Sequence, residues 1–501
     1  MDEVRWLKKG CAFLVLCCTA GAIAGSAQTF ATVEVFDATD GANPSDALIQ
    51  GTDGMLYGTT NQGGSDGSCG PNACGTVFQL FGGIRSFDVT NGGFPFAGLI
   101  QASDGNFYGT TEQDGAHGGG TVFKVTPKGK LTTLYDFCTQ QNCSDGANPF
   151  SGLVQGEDGN LYGTTYEGGD VNCDYPQGCG TVFKITRQGG LTTLHSFAGP
   201  DGANPYYAAL VQSTDGKFYG TTFLGGASTV CSLGCGTVFK IDAEGALTTL
   251  YSFCSQSACT DGENPGAGLV QGTDADFYGT TLSGGDANCL DGGGCGTVFK
   301  ITSAGRLTTL HEFRLTDGAF PYAGLVQGTD GNFYGTTYEG GVYTCSTGIC
   351  GTVFRMTPRG DLLTLHSFDL TDGAGPIGGL MQATSGIFYG TTYDGGFLKG
   401  KCYGNGSYHG CGTVYSVEMG LGPFISFSPR GYGKDGQIAG ILGQQLTGTT
   451  SVSFNGTSAS FTVISDTFIK ATVPAGAKTG YVTVTTPSGT LTSNVPFRVI
   501  P

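Results

Sequence analysis

Over most of the chain, apolar and polar residues alternate in short runs separated by Gly-rich turns, and no stretch sustains a helical period. One unit shows the pattern. Gly324-Leu325-Val326-Gln327, Asn332 to Thr337, Gly351 to Met356 and Leu362 to Phe368 are runs rich in β-branched and aromatic residues. Asp-Gly, Gly-Gly and Pro-x-Gly turns separate such runs, which is strand chemistry. The unit recurs: Tyr-Gly-Thr-Thr starts at Tyr57, Tyr108, Tyr162, Tyr219, Tyr278, Tyr334 and Tyr389, at intervals of 51, 54, 57, 59, 56 and 55 residues. Four strands per repeat and seven repeats predict an all-β chain folded as a seven-bladed β-propeller.

The ends of the array sharpen this expectation. The last repeat stops at Thr413-Val414-Tyr415-Ser416-Val417 without a fourth strand, and the missing piece stands at the front as Thr32-Val33-Glu34-Val35-Phe36. Asp40-Gly41-Ala42-Asn43-Pro44 follows it, as Asp145 to Pro149 follows the fourth strand of an internal copy. The N-terminal strand is therefore expected to complete the last blade and close the ring, leaving no open sheet edges. A β-solenoid is the alternative, but it would carry distinct caps rather than a split repeat. The first-strand Leu precedes the motif Tyr by nine residues in every copy (Leu48 to Tyr57, Leu325 to Tyr334), whereas the motif Tyr precedes the next strand's Thr by 13 residues at Tyr108 and 24 at Tyr389. The connections that vary emerge on one face of an up-and-down blade, and variable loops on a rigid scaffold are where binding concentrates.

Composition adds the compartment. Glycine accounts for 91 of 501 residues without a collagen period, and 39% hydrophobic with 13% charged content excludes a disordered chain. Net charge is −17, which argues against nucleic acid or an anionic membrane as partner. Residues 1–27 read as an export signal: Arg5, Lys8 and Lys9, an apolar Cys11 to Ala24, then Gly25-Ser26-Ala27 before Gln28. No later run is long and apolar enough to span a bilayer. The expected domains are the signal (1–27), the propeller (28–420) and a C-terminal module (421–501).

Sixteen cysteines outside the signal fall into eight local pairs: Cys69/Cys74, Cys138/Cys143, Cys173/Cys179, Cys231/Cys235, Cys254/Cys259, Cys289/Cys295, Cys345/Cys350 and Cys402/Cys411. Every pair lies in a variable loop. Even counts, close spacing and export predict disulfides, since zinc wants four ligands and no His recurs beside these thiols. No metal site and no cofactor is expected. His195, His311 and His366 share a repeat position with Tyr135 and Tyr251, which suits packing or a strand hydrogen bond better than a catalytic base. His117 and His409 are isolated. Asp53, Asp104, Asp158, Asp215 and Asp330 precede Gly, and Asp274 precedes Ala, in the nine-residue connection; this is turn chemistry rather than a calcium loop. Asp145, Asp201, Asp261, Asp317 and Asp372, before the next blade, are read the same way. No Ser elbow, metal-binding His pair or phosphate loop occurs, so no catalytic residue is named.

The residues just after Tyr-Gly-Thr-Thr are the candidate ligand contacts: Tyr166, Glu167, Phe223, Tyr338, Glu339, Tyr393 and Asp394. Aromatic faces beside carboxylates bind sugars or cations; the alternative for these rings is packing between blades. From about Gly422 a different pattern begins, with about seven strands over 80 residues, the size of a small immunoglobulin-like sandwich. Its strings Ser-Phe-Ser-Pro, Leu-Gly-Gln-Gln-Leu, Val-Ser-Phe-Asn-Gly, Ala-Thr-Val-Pro-Ala-Gly-Ala and Gly-Tyr-Val-Thr-Val resemble the bacterial IPT/TIG immunoglobulin-like domain. The copies of Gly-Leu-Val-Gln-Gly-x-Asp-Gly-x-Phe-Tyr-Gly-Thr-Thr and Cys-Gly-Thr-Val-Phe-Lys, as at Gly324 to Thr337 and Cys295 to Lys300, resemble the GloVer tandem-repeat, or choice-of-anchor, family of bacterial surface proteins. That resemblance implies export and often a C-terminal sorting anchor, which is not recognisable at Val499-Ile500-Pro501. The function expected is an exported, non-enzymatic binding or adhesion module for a polysaccharide or protein, secreted or at the cell surface. A polysaccharide lyase or glycosidase on the same face, or a structural surface-layer or matrix component, are the alternatives.

Overall fold

A computed structural model describes residues 28–500, apart from 66, 71–72, 171–172, 174–176, 208, 290–292, 344–349, 397–401 and 403–409. The expected signal (1–27), Cys345 and His409 lie outside the described residues. The protein is all-β, built of repeated four-stranded antiparallel sheets. In the third repeat the strands Val154–Gln155, Leu161–Thr165, Thr181–Ile185 and Leu191–Ser196 pair in chain order, and the other repeats but the seventh follow the same order.

The recurring motif is explained position by position. Its Tyr is buried and its hydroxyl donates to the turn Asp four residues earlier, at 2.8 Å for Tyr162 to Asp158 and 2.7 Å for Tyr108 to Asp104. The same Asp accepts a backbone N–H two residues on, from Asn160 at 3.0 Å, so one carboxylate fixes both turn and strand. Burial first, and then this carboxylate, push the tyrosine hydroxyls well above their usual range. The motif Gly has no room for a side chain: a Cβ at Gly163 would meet the Phe183 ring at 2.7 Å and Leu153 at 2.9 Å. The second Thr bonds the Thr that opens the third strand in all seven repeats, as Thr165 to Thr181 at 2.9 Å. The first Thr reaches into the next repeat, Thr110 donating to Ser151 O at 2.9 Å.

Each sheet packs face to face on its neighbour. The motif Tyr stacks on the second-strand Phe of the next repeat (Tyr162 on Phe218, 4.1 Å between centroids), and a fourth-strand Phe meets the next third-strand ring edge-on (Phe137 and Phe183, 5.2 Å). The seventh sheet meets the first in the same way. Thr391 donates to Asp46 O at 3.1 Å, Thr384 N donates to Gln50 at 3.0 Å, and Phe36 packs edge-on against Phe78. Thr29–Val35 lies in the fourth-strand place of that sheet, antiparallel to Thr413–Glu418, with Phe30 stacked on His366 at 3.6 Å.

Seven disulfides join the expected partners: Cys69–Cys74, Cys138–Cys143, Cys173–Cys179, Cys231–Cys235, Cys254–Cys259, Cys289–Cys295 and Cys402–Cys411. The eighth expected pair, Cys345 with Cys350, is not among these seven, because Cys345 lies outside the described residues. Cys350 itself is buried at the entry of its third strand and is disulfide-bonded. His195, His311 and His366 hydrogen-bond Asp201, Asp317 and Asp372 at 2.7, 3.1 and 2.7 Å, the position in which Tyr135 bonds Asp145 and Tyr251 bonds Asp261. The Tyr/His alternation is thus a strand-to-turn clasp.

The C-terminal region forms two further four-stranded sheets and a parallel pair, Tyr432–Gly433 with Arg498–Val499. Ile441 and Ile469 from one sheet and Val452, Phe454, Val482 and Val484 from the other share one buried cluster. The region holds ten strands rather than about seven. Tyr432–Gly433, Thr457–Ala459 and Gly489–Thr492 escape a sequence reading because they are short and lack apolar alternation. Among the described residues, no helix is long and apolar enough to cross a membrane.

Candidate functional site

The entry to each repeat sets the geometry of the variable face. Asn148 takes a left-handed φ of 54°, accepts the N–H of Tyr166 at 3.0 Å through its own carbonyl, and donates its side-chain amide to Glu112 O of the preceding repeat at 3.2 Å. Asn204 does the same for Tyr166 O at 2.9 Å, Asn264 for Phe223 O at 2.9 Å, and Asn43 for Tyr393 O at 2.8 Å. Asn tolerates this conformation better than most residues, which accounts for the recurring Asn-Pro. The clasp brings the residue after Tyr-Gly-Thr-Thr next to the residue after Pro.

At these positions aromatic side chains converge. Tyr166 packs against Phe150 (5.4 Å) and Tyr206 (5.5 Å), Phe223 against Tyr206 (5.5 Å), Tyr338 against Tyr322 (5.3 Å), and Tyr393 against Phe96 (6.4 Å). Tyr207 is the one residue by which the fourth repeat's entry exceeds the commonest length, and its ring touches Phe96 of the second repeat (5.4 Å) and Tyr322 of the sixth (6.1 Å). Contacts among the second, fourth, sixth and seventh repeats require that these rings meet where all repeats converge. The rings are half-buried, so they pack on one another and still present surface.

The predicted aromatics Tyr166, Phe223, Tyr338 and Tyr393 therefore belong to one cluster. Of the predicted acids, Asp394 is buried at 8% exposure and Glu167 and Glu339 are half-buried. The backbone of each pairs with the repeat's own entry strand, Ala147 with Glu167, Ala319 with Glu339 and Ala374 with Asp394. Burial pushes the Asp394 carboxyl up to about 7, and it raises Glu167 and Glu339 as well. Glu112 is raised by burial and by the nearby charge of Glu167. Tyr338 is pushed up to about 12 by burial and then by the charge of Asp394. Phe96, Phe150, Tyr206, Tyr207, Tyr322 and Glu112 were not singled out in the sequence. The signal for the aromatics is the residue after the entry Pro, which is aromatic in four repeats and Ser, Gly or Ile in the others.

No Lys or Arg occupies the two positions after Tyr-Gly-Thr-Thr or the position after the entry Pro in any repeat. Stacking faces beside hydrogen-bond acceptors, without a cation, suit a hydroxyl-rich neutral ligand better than an anionic one. A separate groove of about 410 Å³ lies along the fourth strand of the fifth repeat and is lined by His311, Glu312, Arg314 and Asp317. It shares no residue with the aromatic cluster.

Among solved structures, a luciferin-regenerating enzyme is 11% identical with a TM-score of 0.40 over 79% of this chain and 98% of that one. A gluconolactonase from Xanthomonas campestris is 12% identical with a TM-score of 0.37 over 77% and 99%. An auxiliary nutrient binding protein from Bacteroides ovatus is 12% identical with a TM-score of 0.38 over 78% and 76%. Similarity at this level carries no activity across. No curated protein matches the chain. The Gloeobacter/Verrucomicrobia repeat family matches residues 19–175 and 174–403, and the chain belongs to that family.

Proposed function

We propose that the protein is an exported binding module, with residues 1–27 as its signal and a seven-bladed propeller (28–420) closed by the N-terminal strand. In this reading the choice-of-anchor resemblance extends to surface or secreted placement, the C-terminal module (421–501) is an IPT/TIG immunoglobulin-like sandwich, and Cys350 is bridged to Cys345. The ligand is a neutral extracellular polysaccharide. The observation that carries this is the convergence of half-buried aromatic rings from five repeats, bordered by Glu167, Glu339 and Asp394, with no Lys or Arg at the positions that supply these rings and acids. Tyr166, Tyr338 and Tyr393 supply stacking faces, and the acids accept hydroxyl protons. The test is retention of the mature protein on a panel of insoluble and soluble polysaccharides. Alanine at Tyr166, Tyr338 or Tyr393 is expected to weaken retention at least about tenfold each, the usual cost of losing a stacking residue at a binding centre. Unchanged retention in all three variants would refute the site.

One observation favours an enzyme as the second reading. Asp394 carries a carboxyl raised to about 7, the range of a general acid, beside a cluster fit to hold a sugar. Release of reducing ends in the same tubes, lost in Asp394→Asn, would put a lyase or glycosidase ahead of a binding module.

A further inference from the structure

The turn between first and second strands carries a second inter-repeat device. In six of the seven repeats the Gln that ends the first strand accepts, through its side-chain oxygen, an N–H from the turn of the preceding repeat. Gln101 accepts from Thr52 at 2.9 Å, Gln155 from Ser103 at 3.0 Å, Gln271 from Thr214 at 3.2 Å, and Gln50 from Thr384 at 3.0 Å across the junction of the last repeat with the first. The seams at Thr273 and Thr329 are bonded likewise, so six of seven carry the bond. The donor is Thr or Ser in all six. Between the third and fourth repeats Glu157 takes its place, and the Gln212 side-chain oxygen is buried without a hydrogen-bond partner.

The C-terminal region reaches the same seam. Arg498 forms an ion pair with Glu157 and donates to Thr214 O at 2.5 Å, with the two charged side chains 18% and 30% exposed. Tyr432 donates to Gln155 O at 3.4 Å and lies under the Arg498 guanidinium at 5.4 Å. On the far side, Thr467 donates to Thr52 O at 3.1 Å and Gln444 to Thr384 at 3.0 Å. These contacts fall on the turns of repeats three and four and of repeats seven and one, so the C-terminal region straddles the centre of the turn face.

We propose that Glu157 and Arg498 form a register key, which holds the C-terminal region in a single rotational setting on seven near-identical turns and closes that end of the molecule. This rests on the closed seven-sheet arrangement and not on the nature of the ligand. The short connection from Glu418 and the bond from Phe424 N to Thr384 O tie the region to the seventh repeat, and among the near-equivalent turns it can still reach, one acid distinguishes a single setting. In any other setting Arg498 would face a Thr or Ser and Glu157 would be covered without a cation, and an uncompensated, partly buried charge is strongly penalised. The seam that receives the arginine is also the one at which the glutamine side-chain oxygen has no partner.

The test uses the full-length protein with Glu157→Thr, which installs the residue that five of the other six repeats carry, Arg498→Met, which keeps the apolar stem, and the exchanged pair Glu157→Arg with Arg498→Glu. Hydrogen exchange is read at turns 51–55, 213–216 and 383–386, and proteolysis at 418–424. Each single variant is expected to speed exchange at all three turns and cleavage by at least about tenfold, the scale of a broken, partly buried ion pair. The exchanged pair is expected to restore both to within about twofold, which loss of folding in one variant would not mimic. Wild-type exchange in both single variants, or an exchanged pair as fast as the singles, would overturn the key.

Discussion

Asp394 is the residue whose protonation most directly ties the candidate site to stability. Its carboxyl stands at about 7 in the folded protein against an ordinary 3.8, with burial as the cause. Between those values the folded chain holds a proton that the unfolded chain releases, so this group lowers stability as pH rises from about 4 to 7 and adds no further cost above that. Asp394→Asn keeps an oxygen for the Asn43 amide and removes the charge. The variant is expected to melt like the wild type at pH 4 and to gain on the order of a few kcal/mol over it by pH 8. Parallel melting curves at every pH would show that the carboxyl is not desolvated. At the same scale, the motif Tyr and its turn Asp show why the Asp-Gly pairs recur: six of the seven motif tyrosines donate to the turn Asp. The seventh repeat has Ser385 there, and its Tyr389 is the one only half-buried.

Elements in this protein are short, and the loops between them are held by covalent bonds. The second cysteine of several pairs opens the Cys-Gly-Thr-Val strand entry and is fully buried, as Cys179, Cys235 and Cys295 are. Each bridge therefore closes a loop and fills space in the core cluster of its sheet. Replacing Cys173 and Cys179 together by Ser is expected to cost about 2 kcal/mol from loop closure, with a further loss from the two hydroxyls left in an apolar cluster. Thermal unfolding with and without reductant checks this: the double variant should respond less to reductant than the wild type. Most of the strands were legible because each has a β-branched or aromatic run between glycines. The exceptions were three short strands of the C-terminal region: Thr457–Ala459 and Gly489–Thr492 each pair with a longer strand, and Tyr432–Gly433 pairs with the equally short Arg498–Val499.

At the scale of the whole molecule, the pairing of Thr29–Val35 with Thr413–Glu418 joins the two ends of the repeat array. Phe30 of Thr29–Val35 covers His366 and Tyr415, and Gln28 donates to Leu365 O. Deleting residues 28–36 would leave Thr413–Glu418 as an unpaired edge with apolar side chains beside it, a template for intermolecular pairing. The truncated protein is expected to associate in a concentration-dependent way in sedimentation velocity, whereas the intact chain stays monodisperse at the same concentrations. A monodisperse truncation product would show that the strand is dispensable for sealing the sheet.

The repeat, its four strands and the partners of the seven described disulfides were legible in the sequence because they are local: turn residues, alternation and spacing act within one unit. The sequence also placed Thr29–Val35 with the last repeat, since a split unit leaves a recognisable gap. Which side chains meet across units depends on how the sheets pack. Tyr207 is one inserted residue in the fourth repeat, yet it touches the second and sixth. Glu157 is one substitution in a turn, yet its partner is Arg498, far along the chain. Repetition hides such residues in a sequence, because a departure from the pattern looks like drift until packing brings distant copies into contact.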